Sequence, residues 1–221
     1  MSLIEWLPKF QEGKIRLVLG SASQARRKVL EQLGIPIEVM VSDFPEDLDK
    51  NSFSDPSEYP VQTSLLKSKW ILAKVCSERC GGMRVLVTCD TVVIRDERFI
   101  MEKPESPEHA VEMISSLAGR DHAVVTGVVT TLINIDGTII TQRIHKETSK
   151  VTMAALTREQ IEAYVRTGEP MGKAGAYGIQ GFGEVLVSSI SGSYTNVVGI
   201  PLHSVATTVG SILDTFVPRD I

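Results

Sequence analysis

Apolar residues along the chain switch between a two-residue period and one near four, and the switches mark out alternating strands and helices. The run IRLVLG at 15–20 reads as a buried strand. Ser21 or Ser23 can then cap a helix over 24–33, whose apolar face is Ala25, Val29, Leu30 and Leu33 and whose stop is Gly34. A second β-like segment covers 35–42, and the polar stretch 43–57, with Pro45 and Pro56, reads as a loop. A helix is predicted over 58–80. The β-branched run RVLVTCDTVVI at 84–94 predicts a strand, with 99–101 pairing back across a turn at Asp96 and Glu97.

Ser106-Pro107 opens a helix ending near Gly119, because proline in the first turn lacks only an N–H that would be unpaired anyway. Two long strand-like runs, 122–135 and 138–153, meet at Asp136-Gly137, a hairpin signal. Thr157-x-x-Gln160 is a capping box for a helix to about 166. A glycine-rich run, TGEPMGKAGAYGIQGFG, fills 167–183, before a predicted strand at 184–190 and a last helix at 201–216. The alternation plus a long hairpin predicts an α/β fold with a mixed sheet.

With 221 residues, the chain can form one large domain or two lobes around a cleft. A hydrophobic fraction of 43% and a charged fraction of 23% describe a globular protein rather than a disordered one. The net charge of -4 argues against general nucleic-acid binding, although a few local cations suffice for a small anion. Three cysteines, Cys76, Cys80 and Cys89, form no CxxC pair and read as reduced thiols. MSLIEWLPKF is too short and too broken by Glu5 and Pro8 for a signal peptide. No apolar run approaches the roughly 20 residues of a membrane span. A soluble cytoplasmic protein, with no membrane or nucleic-acid partner, is the expectation.

Four places can carry chemistry. Ser21 and Ser23 with Arg26 and Arg27 lie at a strand-to-helix turn, where unpaired backbone N–H groups favour anions, but capping serines with surface arginines would read the same. No Walker loop is present. Asp90 sits among apolar strand neighbours, where an unpaired carboxylate costs several kcal/mol, so pairing or metal binding is favoured over a solvated strand end (about 2–7 kcal/mol even for a neutral polar group). Lys103 in Glu102-Lys103-Pro104 can reach a phosphate or simply face water. In KAGAYGIQG the glycines allow close ligand approach, and the Gln180 amide can read a base edge, although a structural loop has the same composition. The four histidines show no metal or catalytic spacing.

In this order the pieces resemble the Maf (septum formation inhibitor) family of nucleotide pyrophosphatases. LGSASQARRKVLEQLG is similar to the opening S-x-S-P-R-R-x-x-L-L, TCDTVV to G-A-D-T, and MEKP to the E-K-P turn. GEPMGKAGAYGIQGFG and SGSYTNVVGIPL resemble the two long C-terminal signatures, so the likeness runs from Leu17 to Leu202. It implies an elongated mixed sheet flanked by helices, two lobes around a cleft, related to the inosine-triphosphate pyrophosphatases. It implies a single domain over 1–221 with residues 1–14 as an extension, and a homodimer.

By resemblance the activity is cleavage of a nucleoside triphosphate between the α and β phosphates, with Mg²⁺ or Mn²⁺. Asp90 then corresponds to the proton acceptor, Glu46 to an acidic residue sharing the metal with it, Lys67 and Lys103 to cleft lysines, and Arg26 to the second opening arginine. Thr91 and Gln180 resemble the branch acting on dTTP and UTP. Two departures stand out: Ala25 replaces the first opening arginine, and Gly172 replaces an aspartate before Lys173. Arg27 is one position later, about 100° around the helix from Arg26. Rival readings are a non-catalytic nucleotide-binding regulator and a pyrophosphatase for purine or 7-methylguanine nucleotides.

Overall fold

The computed structural model describes residues 3–77 and 80–221. Among them, seven strands form one open mixed sheet: β1 (Ile15–Gly20), β2 (Ile37–Val39), β3 (Met83–Arg95), β4 (Phe99–Met101), β5 (Asp121–Ile133), β6 (Ile139–Met153) and β7 (Val187–Ser191). The order is β2-β1-β3-β5-β6-β7, with β4 also on β3. The helices are α1 (Leu7–Gln11), α2 (Gln24–Glu31), α3 (Tyr59–Val75), α4 (Pro107–Leu117), α5 (Arg158–Arg166), α6 (Tyr194–Val198) and α7 (Leu202–Phe216). No helix among the described residues is long and apolar enough to cross a membrane.

Strand β3 organises the molecule, and its two faces serve different layers because side chains alternate along a strand. Leu86 packs with Ile71 and Leu72 of α3, while Val92 and Ile94 cluster with Tyr59 at the start of that helix. On the opposite face, Val85, Val87 and Cys89 join α2 and α7, whereas Val93 joins α4, α5 and the glycine-rich segment. Two cores therefore lie side by side on one continuous sheet. The edge of β3 shows where they part. Residues 83–88 pair with β1 in parallel and 93–95 pair with β4, so Cys89–Val92 has no strand on that edge among the described residues. The opposite edge stays fully paired with β5, Asp90 lying across from Gly127.

Gly127 has a specific task. A Cβ there would stand 2.4 Å from the carbonyl oxygen of Pro60 and 2.5 Å from Val61 Cα, so the absent side chain lets α3 rest directly on the sheet. One turn along, Ser64 Oγ donates to the Thr88 carbonyl (2.9 Å) and Thr88 Oγ1 donates to the Ser64 carbonyl (3.0 Å). The next inward residue on that face is Lys67, level with Asp90.

Several predicted boundaries shift. Helix α3 stops at Val75 rather than 80, because Arg84 Nη2 donates to the Val75 carbonyl (2.6 Å) and Ser77 folds back onto the Lys74 carbonyl. Glu78 and Arg79, also assigned to that helix, lie outside the described residues, as do Met1 and Ser2 of the extension. The strand expected at 184–190 begins only at Val187, since 182–186 winds as a 3₁₀ turn whose N–H groups at Phe182 and Gly183 go to Glu169 instead of a ladder. The segment at 35–42 shrinks to three strand residues, and the short helix α6, capped by Ser193, was not expected. Within the extension, Leu3, Trp6 and Phe10 are buried in the same core as α7, and Trp6 Nε1 donates to Asp214 Oδ1 (2.9 Å). The turn at Asp96 and Glu97 forms with both residues at positive φ (51° and 54°), closed by Arg98 N donating to the Arg95 carbonyl (3.1 Å).

Candidate active site

The gap on β3 opens into a cavity of about 500 Å³. The parallel strand β1 ends beside it at Gly20, and the next residues turn into α2, so the N-terminus of that helix faces the cavity as in open α/β sheets generally. Ser23 caps the helix, its Oγ accepting from Arg26 N (3.3 Å); Ser21 Oγ accepts from Ser23 N (3.2 Å). Each hydroxyl has spent lone pairs on the protein and still holds an O–H to donate outward.

Arg26 is anchored three ways. Nε donates to the Gly199 carbonyl (2.7 Å), Nη1 to Ser21 Oγ (3.1 Å) and Nη2 to Thr91 Oγ1 (2.9 Å). A guanidinium has five N–H donors, so two remain beyond these three. The contact works because Gly199, at φ 117°, ends α6 with its carbonyl turned toward the arginine. Thr91 is tied into the same hub through Thr126 Oγ1 (2.9 Å) and the Gly199 carbonyl (3.2 Å). Arg27 points elsewhere: it pairs with Glu31 (2.7 Å) on the exposed side of the helix and does not line the cavity.

Asp90 projects from the α3 face of β3 and is 7% exposed. Lys67, equally buried, places its Nζ 2.7 Å from Asp90 Oδ1 and 3.0 Å from Glu46 Oε1. The two carboxylates thus converge on one point, at present held by an ammonium. Burial pushes Asp90 above the ordinary carboxylate range, against the pull of Lys67 and Arg26, and Glu46 adds to the rise. Glu46 goes the other way. Its partial burial would raise it, but Lys67, Lys103 and Arg26 together hold it below the usual range. Two neighbouring carboxyls driven apart in this way suit different tasks, one to take a proton and one to stay charged.

The far side of the cavity is built by the glycine-rich segment. Gln180 is exposed at its rim, and Lys173 runs across Gly178 so closely that a Cβ there would meet Lys173 Cε at 2.3 Å. Lys103, with a side chain 61% exposed, stands 4.0 Å from Glu46 Oε2. Its neighbour Glu102 is clamped by Tyr59 Oη (2.8 Å) and by Lys50, which fastens the 43–57 loop to the turn after β4. Ser21, Ser23, Arg26, Glu46, Lys67, Asp90, Thr91, Lys103 and Gln180 all line this one cavity. So do Ala25 and Gly172, the two departures from the family pattern.

Cations dominate the lining: Arg26, Lys67, Lys103 and Lys173 face two carboxylates, in a chain whose overall charge is -4. Sequence reasoning named the runs holding Lys173 and Glu102 but gave neither residue a role, and gave Glu169 none. Nothing in a lysine among glycines, or in a glutamate after a helix, signals such placement. Among the described residues no group of three or more His, Cys, Asp or Glu is spaced to hold a metal unaided. Two converging hard-oxygen groups nevertheless fit Mg²⁺, which usually binds through one or two carboxylates, waters and substrate phosphates.

Comparison with known proteins agrees with this architecture. The family described as Maf-like protein matches residues 16–212. A dTTP/UTP pyrophosphatase of Symbiobacterium thermophilum is 43% identical over 188 residues, 85% of this chain and 89% of that protein. One from Schizosaccharomyces pombe is 38% identical over 196 residues, 86% of this chain and 80% of that protein. A human protein named a probable bifunctional dTTP/UTP pyrophosphatase/methyltransferase is 38% identical over 190 residues, and the match spans only 30% of its length. From Arg16 to Ile212, with the β3 gap and its cation-lined cavity inside the matched span, the chain belongs to the Maf-like protein family.

Proposed function

We propose that the chain hydrolyses dTTP and UTP to the monophosphate and pyrophosphate. One observation carries the mechanism: a buried Asp90, set against Lys67 and Glu46, in a cavity whose lining is otherwise rich in cations. A triphosphate carries about four negative charges at neutral pH, and positioned cations stabilise such charge most where water is partly excluded. The cavity can take the phosphates at the α2 N-terminus, where Ser21, Ser23 and the free donors of Arg26 point to them, with Lys67 and Lys103 against the leaving pyrophosphate.

Asp90 serves as the proton acceptor. Its raised pKa brings it closer to the operating pH, which favours a general base, and the water it orients attacks the α-phosphorus. Asp90 Oδ2 and Glu46 are the groups that would hold a divalent cation, Mg²⁺ or Mn²⁺, which when bound screens the phosphate oxygens. Lys67 would then shift from bridging the carboxylates to meeting phosphate. At the other end Gln180 addresses the base edge, and Thr91 fixes Arg26. Ala25, in the first turn of α2, lacks one donor of the family pattern, so selectivity rests more heavily on Gln180. Residues 1–221 act as one unit, the N-terminal segment being packed on α7.

Pyrophosphate release from a panel of nucleoside triphosphates, with Mg²⁺ and with Mn²⁺, tests the reading. Turnover of dTTP and UTP ahead of the purine nucleotides is expected. Reaction in heavy-oxygen water should put the label in the monophosphate. Label in pyrophosphate, or release of orthophosphate, would reject attack at the α-phosphorus, and binding without any turnover would favour a regulator.

A further inference from the structure

The glycine-rich segment that carries Gln180 has little secondary structure to hold it. Buried Tyr177, paired with His122 (2.7 Å), and buried Ile179 anchor it, and two further side chains grip it around Gln180. Glu169 Oε2 accepts from Phe182 N (2.8 Å), and Oε1 accepts from Gly183 N (2.9 Å) and from Tyr164 Oη (3.1 Å). Two successive backbone N–H groups converging on one carboxylate form a small anion nest, and hydrogen bonds to a charged acceptor are the stronger kind. The Tyr164 hydroxyl also accepts from Gly178 N (3.2 Å), so a buried tyrosine and a carboxylate grip the loop on both sides of Gln180.

The glycines beside the grip follow from it. At Gly181, where φ is 126°, a Cβ would lie 2.6 Å from Glu169 Oε2, and at Gly183 it would lie 2.2 Å from the Gly178 carbonyl oxygen and 2.9 Å from Tyr164 Oη. Tyr164 belongs to α5, whose capping box at Thr157 and Gln160 fixes the helix start, and Ile161, Tyr164 and Val165 bury that helix in the second core. The loop is thus referenced to a rigid helix by a carboxylate and a phenol, and neither is among the residues lining the cavity.

We infer that Glu169, with Tyr164, is a positioning residue for base selection: it sets where the 178–183 loop holds Gln180 without touching the nucleotide. The inference rests on the reading that this end of the cavity receives the base. Replacing Glu169 by glutamine keeps size and one acceptor oxygen but turns the other into a donor facing the Phe182 or the Gly183 N–H, so the loop must move. Among the described residues, no hydrogen bond joins the 178–183 loop to β3, α3 or the start of α2.

The deciding measurement is the ratio of kcat/KM for dTTP to that for dATP, together with Tm, in Glu169→Gln, Tyr164→Phe, Gln180→Ala and the Glu169→Gln/Gln180→Ala double variant. Glu169→Gln is expected to cut the ratio about tenfold, chiefly by raising KM for dTTP, with Tyr164→Phe moving it the same way. The double variant should fall no further than Gln180→Ala alone. A purely structural role would lower Tm and slow both nucleotides alike, and an unchanged ratio in Glu169→Gln and Tyr164→Phe overturns the inference. Should Glu169→Gln fail to fold, Tyr164→Phe alone decides. If Gln180→Ala leaves the ratio intact while Glu169→Gln lowers it, Glu169 does not act through Gln180 and the inference is overturned.

Discussion

The two ends of the cavity are built by opposite means. Asp90 and Lys67 lie on a thirteen-residue strand and a seventeen-residue helix, both buried, and locked to each other by the Ser64–Thr88 exchange. Gln180 is itself exposed, on a loop with little regular structure held by Glu169, Tyr164 and the buried Tyr177 and Ile179. In the proposed reading the contrast would separate rate from selectivity: Asp90 and Lys67, assigned to the phosphate chemistry, share the sheet's rigidity, while Gln180, assigned to the base, can be re-aimed by a few hydrogen bonds.

Substitutions test the separation of the two ends, and Asp90→Asn has the largest expected effect. It should lower kcat at least about a hundredfold for every nucleotide, with the dTTP to dATP ratio unchanged; a changed ratio would mean that the ends are coupled. Lys67→Met comes next. Breaking a buried ion pair typically costs about 3–5 kcal/mol, readable as a lower midpoint in urea unfolding. Without its counter-charge Asp90 is driven further toward the neutral form. The acid limb of kcat/KM against pH should therefore move to higher pH, and the variant should lose more stability at alkaline than at mildly acidic pH.

Glu46→Gln should have a smaller effect of the opposite sign. Removing the like charge lowers the Asp90 pKa, so the acid limb moves to lower pH, toward the ordinary aspartate value of about 3.9. In the wild-type protein that limb should lie above this value, since activity is lost as pH falls through the raised pKa of the base. Arg27→Ala should change least. Its surface pair with Glu31 is worth about 0.3–0.5 kcal/mol, and kcat/KM should change less than about twofold. A large loss there would mean that Arg27 reaches the substrate in place of the arginine missing at Ala25.

Much of the cavity around Asp90 was legible in the sequence because local rules govern it. A carboxylate in an apolar strand demands a partner, a serine before a helix is a cap, and the run 84–94 shows its period plainly. Lys67 as that partner was not derivable from period or spacing, because two residues of different elements meet only once Gly127 admits the helix; the family likeness supplied it. At the base end the rules failed for a related reason. The expected strand began at 184, but residues 182–186 wind as a 3₁₀ turn: Glu184 N donates to the Gly181 carbonyl (3.2 Å), just after Glu169 takes the N–H groups of Phe182 and Gly183. Tertiary hydrogen bonds overrode local propensity there, as they did at the end of α3, where Arg84 from the next strand closes the helix nine residues upstream.

Gly127 offers no atom to chemistry, yet its missing methyl decides whether Lys67 can stand level with Asp90. The obstacle to any larger residue is main chain at Pro60 and Val61, which has no rotamer to yield. A relative could thus keep every acid and base of the cavity intact and still be silent because of one extra carbon on the strand next door. Surveys of such sequences that tally only reactive groups would count it as an enzyme.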